Sequence, residues 1–263
     1  MNKIYSFYYK KNREVIKETL DEHISKALNV INNLIKSPIS KYMHKIGLND
    51  PLKFFNMAKL SIIFHDVGKI FYQHDPFEIQ EYINFSGHEF FSTYIYKEFH
   101  KYCYKLYTRE FKNNMEIPIE FSIFYHHHAM DINKRKELLK EKNININKGI
   151  DLLNSLTETL SPFLKKEISF KDFKIFINNL EEKIEKNRNN LIASIRMEVE
   201  EVEKRIWENI ISDNKIKKIS YILLTVLLVA DNIAAQEKRS HLTDVYHIAL
   251  NDFYNLYLQG LGI

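Results

Sequence analysis

Phe64-His65-Asp66-Val67-Gly68-Lys69 closes an apolar stretch that opens near Pro51, and the rest of the chain is read outward from it. His65 and Asp66 offer an imidazole and a carboxylate to one cation. Gly68 is expected to let the chain turn sharply just after them. Lys69 sets a positive charge one helical turn beyond the carboxylate. Upstream, Asp50 is placed to cap a helix and Pro51 to occupy its first position. That helix, carrying Phe54, Phe55, Ala58, Leu60, Ile62 and Ile63, would deliver the pair at its end.

The composition suits a helical frame. Six glycines and five prolines in 263 residues are few breakers, which favours long helices over many short strands. A chain of this length buries a substantial core, and 45% hydrophobic with 27% charged residues is ordinary for a globular protein. Cys103 is the single cysteine, so no internal disulfide forms, and a reducing compartment fits. The first residues lack the pattern of a signal peptide. The longest apolar run, 221–230, is half of the roughly 20 residues a membrane-spanning helix needs. A cytoplasmic protein with no membrane partner is the expectation. The net charge of +4 permits a nucleic-acid partner without demanding one. Lysines cluster at 134–142 and 215–218; solvated helix faces explain them, and phosphate contact is the sharper alternative.

Apolar periodicity predicts helices over 14–36, with Pro38 as its stop, over 51–65, and from 119 to 130 behind Pro118. Ser86-Gly87-His88-Glu89 has the form of a capping box opening a helix through Phe99 and Tyr104. Gly149 is expected to break the chain. Helical patterns then run over 150–160 and 170–180, a charged stretch over 181–211 suits a surface helix or hairpin arm, and helices over 215–238 and 242–258 follow. No repeat or linker divides the chain. One all-α domain over 1–263 with a helical insertion at about 135–212 is the expected organisation.

Candidate ligands fall on these helices. His23 lies at the edge of an apolar face, where a lone histidine is more often a hydrogen-bonded core residue than a ligand. His88 stands in a first turn, and His126, His127 and His128 are consecutive near a helix end. Neighbouring helical positions point about 100° apart, so two of these three can converge and the third must diverge. Asp231 follows Leu227-Leu228-Val229-Ala230, and a carboxylate there requires a partner or a metal. His74-Asp75 lacks the following glycine and lysine and precedes Pro76, so it reads as a turn. His44, His100, His241 and His247 have no motif around them and read as surface or packing residues.

In this order, the His-Asp-x-Gly-Lys, Gly-His-Glu and histidine-cluster motifs resemble the HD superfamily of metal-dependent phosphohydrolases. Within it they resemble the stand-alone CRISPR-associated HD nuclease that partners a separate helicase in type I interference. No Gly-x-x-x-x-Gly-Lys-[Ser/Thr] loop occurs in the chain, in keeping with a helicase on another polypeptide. The resemblance implies an HD-domain helical bundle and a two-metal site. One ion would be held by His23, His65, Asp66 and Asp231. Asp66 would bridge to a second held by His88 and two of the clustered histidines, His126 and His127 in preference to His128. Asp66 and Lys69 would be the catalytic pair, with Lys69 near the scissile phosphate.

Two divalent ions activate water and stabilise both the non-bridging and the leaving oxygen of a phosphodiester. An imidazole-rich set favours Mn, Ni, Co or Fe over Mg in affinity, with Mg an alternative activator. The implied activity is endo- or exonucleolytic cleavage of single-stranded DNA or RNA in antiviral defence, with a helicase subunit and a CRISPR effector complex as partners. The alternative is an HD phosphohydrolase acting on nucleotides or cyclic nucleotides. A helical adaptor that keeps its metal for folding is the non-catalytic reading.

Overall fold

The computed structural model describes residues 3–11, 14–74, 81–106, 116–127, 132–137, 139, 144–239 and 245–259. The chain is mostly helical, with one small two-stranded hairpin. Strands β1 (Tyr5–Lys11) and β2 (Glu14–Thr19) pair antiparallel, Tyr8 opposite Lys17 and Tyr9 opposite Ile16. The helix expected over 14–36 is therefore corrected: its opening residues, Glu14–Thr19, are a strand, and α1 spans only Leu20–Val30. Val15 and Ile16 are 45% and 39% exposed, so they do not join the apolar face that the periodicity assigns them to. Branched residues beside a tyrosine-rich partner favour the extended chain. The helix begins where Leu20 becomes buried, and the Thr19 N–H donates to Glu22 Oε2 at 3.1 Å.

Pro38 does not stop α1. It opens α2 (Pro38–Lys45), with the Ser37 hydroxyl accepting from the Ser40 N–H. Helix α3 (Pro51–Phe64) starts as expected, the Asp50 carboxylate accepting from the Leu52 N–H at 2.9 Å. It ends at His65 and runs into a 3-10 turn, Val67–Tyr72, whose residues are all buried. Then follow α4 (His88–Leu106), α5 (Glu116–Tyr125), α6 (Ile132–Glu137), α7 (Ile146–Leu164), α8 (Phe170–Lys186), α9 (Leu191–Ser212), α10 (Asn214–Arg239) and α11 (Val245–Phe253). A π-helical turn, Tyr254–Gln259, closes the described chain.

Helix α10 forms the middle of the bundle and packs on α1, α3, α5, α9 and α11. By length and composition it could cross a membrane, but more than half of its apolar window is buried inside the protein, as in a core helix. Helix α4 packs on the 3-10 turn and on α5, and α7 packs on the same turn. Residues 135–212 are tied into this frame. The Asn145 N–H donates to the Phe71 carbonyl at 2.7 Å. Lys59 pairs with Glu167 at 2.7 Å, Lys97 with Glu198, and Arg205 with Glu120. Gly149 does not break the chain. It sits inside α7, where a Cβ would lie 2.1 Å from the Phe71 ring, so close packing against the 3-10 turn accounts for it.

Candidate metal centre

Five elements bring the predicted ligands to one place. Helix α1 carries His23, the end of α3 carries His65 and Asp66, α4 opens on His88, and His126 and His127 lie in the turn beyond α5. Asp231 comes from α10. His23, His65, Asp66, His88 and His126 are all at most 3% exposed. His128, Asp75 and His241 lie outside the described residues, as does the side chain of His247.

Three of the histidines are held in the same way. The Nδ1 of His65 lies 2.8 Å from the Ile62 carbonyl, that of His88 2.7 Å from the Phe85 carbonyl, and that of His126 2.7 Å from the Ile123 carbonyl. A carbonyl only accepts, so each Nδ1 carries the proton and each Nε2 presents a lone pair. Among the described residues, all three Nε2 atoms are buried without a hydrogen-bond partner. Lone pairs aimed inward at other acceptors are costly as they stand, and a cation would satisfy them.

The ligand atoms of His23, His65 and Asp66 lie within 4.8 Å of one another, and so do those of His88, His126 and His127. Asp231 joins the first group, its Oδ1 at 3.0 Å from His23 Nε2 and 3.6 Å from His65 Nε2. Asp66 faces both groups. Its Oδ2 is 3.5 Å from His65 Nε2 and 3.7 Å from His23 Nε2, while its Oδ1 is 2.9 Å from His88 Nε2. Two buried His/Asp groups able to hold metal ions thus adjoin at one carboxylate.

The charges agree with that use. Burial alone would raise the Asp66 carboxyl, but the adjoining His65 and Lys69 and the contact with His88 hold it well below the usual range. Asp231 is likewise held low against burial by His23 and His65. Burial, reinforced by His65 and His88, pushes His126 down to about 3, and His127 is also held far below its ordinary value by burial and His126. Both are neutral, as ligation requires. His23 differs: burial opposes its charge, but Asp231 and Glu18 raise it to about 9.

Lys69 reaches Asp66 Oδ2 at 2.6 Å and the Ser6 carbonyl at 3.1 Å. The structure places its ammonium on the shared carboxylate, under the Phe85 ring. Gly68 has no left-handed backbone, contrary to the sharp turn expected of it; among the described glycines only Gly47 and Gly87 have positive φ. Gly68 is small because α4 crosses it. The capping box at Ser86–Glu89 is also corrected. Glu89 turns inward, completely buried, and both of its oxygens take Arg135, one at 2.7 Å. By sequence Arg135 belongs to a lysine-rich surface cluster, yet it is 5% exposed. Arg135→Ala would strand the Glu89 charge in the core and is expected to lower stability by about 3–5 kcal/mol, read as a fall in the urea midpoint at unchanged slope.

Two further residues of the site carry no signal in the sequence. Glu18, 1% exposed, holds His23 Nδ1 at 3.2 Å. Gln73 binds the backbone of Tyr5 on both sides and the Lys69 carbonyl, fixing the hairpin to the 3-10 turn.

A helical chain whose core holds two adjoining histidine-carboxylate groups is what the fold and site together define. No family model matches the chain, nor does any curated protein or solved structure.

Proposed function

We propose that the chain is a metal-dependent phosphodiesterase of the HD type, a nuclease that cleaves single-stranded DNA in CRISPR antiviral defence alongside a separate helicase. The observation that carries this reading is Asp66, with one oxygen turned to each of two histidine groups. His23, His65 and Asp231 would hold one divalent ion and His88, His126 and His127 the other. When bound, such a pair activates water and stabilises the charge that builds on the phosphate oxygens. Asp66 sets the spacing of the two positions and Lys69 fixes its orientation. The backbone-anchored imidazoles keep their lone pairs aimed inward, so little reorganisation is needed.

A strand of unpaired bases also has surfaces to meet nearby. The Tyr125 ring, directly before His126, lies 6.1 Å from Trp207, and Phe121 lies 5.2 Å from Tyr221. Trp207 and Tyr221 keep more than a third of their surface exposed and are suited to stacking.

The test is a side-by-side assay of the chelator-stripped chain, reloaded with Mn²⁺. Single-stranded DNA, single-stranded RNA, duplex DNA, mononucleotides and cyclic dinucleotides are offered at equal concentration. Metal-dependent loss of the single strand is the expected outcome. Hydrolysis of a nucleotide with the polymer left whole would transfer the site to the small-molecule reading.

A further inference from the structure

The two halves of the centre are built from different chemistry. On one side, His23 and His65 face two carboxylates, Asp66 and Asp231, and a third, Glu18, stands behind His23. On the other, His88, His126 and His127 are three imidazoles whose only carboxylate among the described residues is the shared Asp66. Glu89 comes within 3.8 Å of His88 Nδ1, but its charge is taken by Arg135, and that nitrogen lies 2.7 Å from the Phe85 carbonyl.

Glu18 has three partners. Its Oε2 meets His23 Nδ1 at 3.2 Å and the Ser6 hydroxyl at 3.5 Å, and its Oε1 pairs with Lys26 at 3.1 Å. A carboxylate on the far nitrogen of a ligating histidine fixes the ring and makes the near nitrogen a stronger donor than a backbone carbonyl does. Cations also gain more from two carboxylate ligands than from one. Once an ion displaces the proton of His23, the positive charges that remain, Lys26 on Glu18 and Lys69 on Asp66, offset part of this without matching the three carboxylates.

We infer that the two ion positions are unequal. Glu18, delivered by the N-terminal hairpin, is a positioning residue that makes the His23–His65–Asp231 side the tight seat, and the His88–His126–His127 side loads second and more weakly. This rests on the two-ion reading of the site and assigns each ion a place in the loading order. The hairpin thereby gains a role in the centre, since β2 carries Glu18 and β1 supplies the Ser6 carbonyl that holds Lys69.

Isothermal titration of the full, chelator-stripped chain with Mn²⁺ alone tests this without any substrate. The native chain is expected to bind in two resolved steps, one ion each. Two equal steps would overturn the inference and leave the two-ion reading standing; no uptake at all would sink that reading itself. Glu18→Gln is expected to weaken the tight step by about 10- to 100-fold, the usual cost of losing such an outer partner, and to leave the weak step in place. Glu18→Asp should restore most of the difference. Equal weakening of both steps in a folded Glu18→Gln chain, or none in either, would overturn the assignment. His127→Ala decides independently if Glu18→Gln does not fold: it should erase the weak step alone, and loss of the tight step instead would refute the order.

Discussion

Asp66→Asn is expected to reduce metal-dependent cleavage by about 10³-fold or more. Two ions contribute several kcal/mol of transition-state stabilisation, and each 1.36 kcal/mol is a factor of ten in rate. The amide has nearly the shape of the carboxylate, so packing changes little. It keeps one acceptor oxygen but loses the charge and the second ligating atom, so it cannot serve both groups. Metal content should fall from two ions per chain to one or none, measured by elemental analysis after gel filtration. The variant also carries a signature in the metal-free chain. The Asp66 carboxyl lies well below its usual value in the folded state. It therefore stabilises the fold above the ordinary carboxylate range, and that contribution is lost as pH falls below it. Urea midpoints of the stripped native chain should drop more steeply than those of Asp66→Asn on acidification below about pH 4. A folded Asp66→Asn that binds two ions and cleaves at the native rate would refute the centre as described.

Most of the candidate ligands are legible because they end or interrupt a local pattern. His65 and Asp66 close a helix whose start is announced by Asp50 and Pro51, and Asp231 stands out as a charge in an apolar helix. What is not legible depends on distance along the chain. Glu89 three residues after Ser86 has the spacing of a cap, but its partner is Arg135, 46 positions away, and no local pattern reports that. Residues 14–19 show the same limit. Val15, Ile16 and Leu20 fit a helical face as well as a strand, and the decision falls to pairing with Tyr5–Lys11, a partner that the helix reading leaves out. Glu18 is invisible for that reason. In a helix over 14–36 it is one more polar position; in the strand it is buried behind His23.

Gly68→Ala is expected to cost the fold and the centre together. The glycine lies in the 3-10 turn where α4 passes closest, and a methyl group there would stand 2.2 Å from the His88 carbonyl oxygen, 2.7 Å from the Ser92 nitrogen and 2.8 Å from the Phe91 Cβ. The first two are backbone atoms of α4, so no rotamer change relieves the overlap; the helix and the turn must separate. Overpacking of this kind costs about 1–3 kcal/mol and occasionally more, and backbone on both sides puts this site at the upper end. The Gly68 N–H donates to Ser92 Oγ at 2.9 Å, a bond that separation also breaks. Ser92→Ala, which removes that bond alone, is the control, expected to cost about 1 kcal/mol. The displacement has a direction. The first turn of α4 holds His88, and Asp66 precedes the turn by one residue, so moving the two apart lengthens the 2.9 Å contact between His88 Nε2 and Asp66 Oδ1. Gly68→Ala should therefore lose the weak ion before the tight one, in addition to its fall in urea midpoint. An alanine chain of native stability that retains both ions would show that the turn and α4 can part without cost, and the glycine of the motif would then need another explanation.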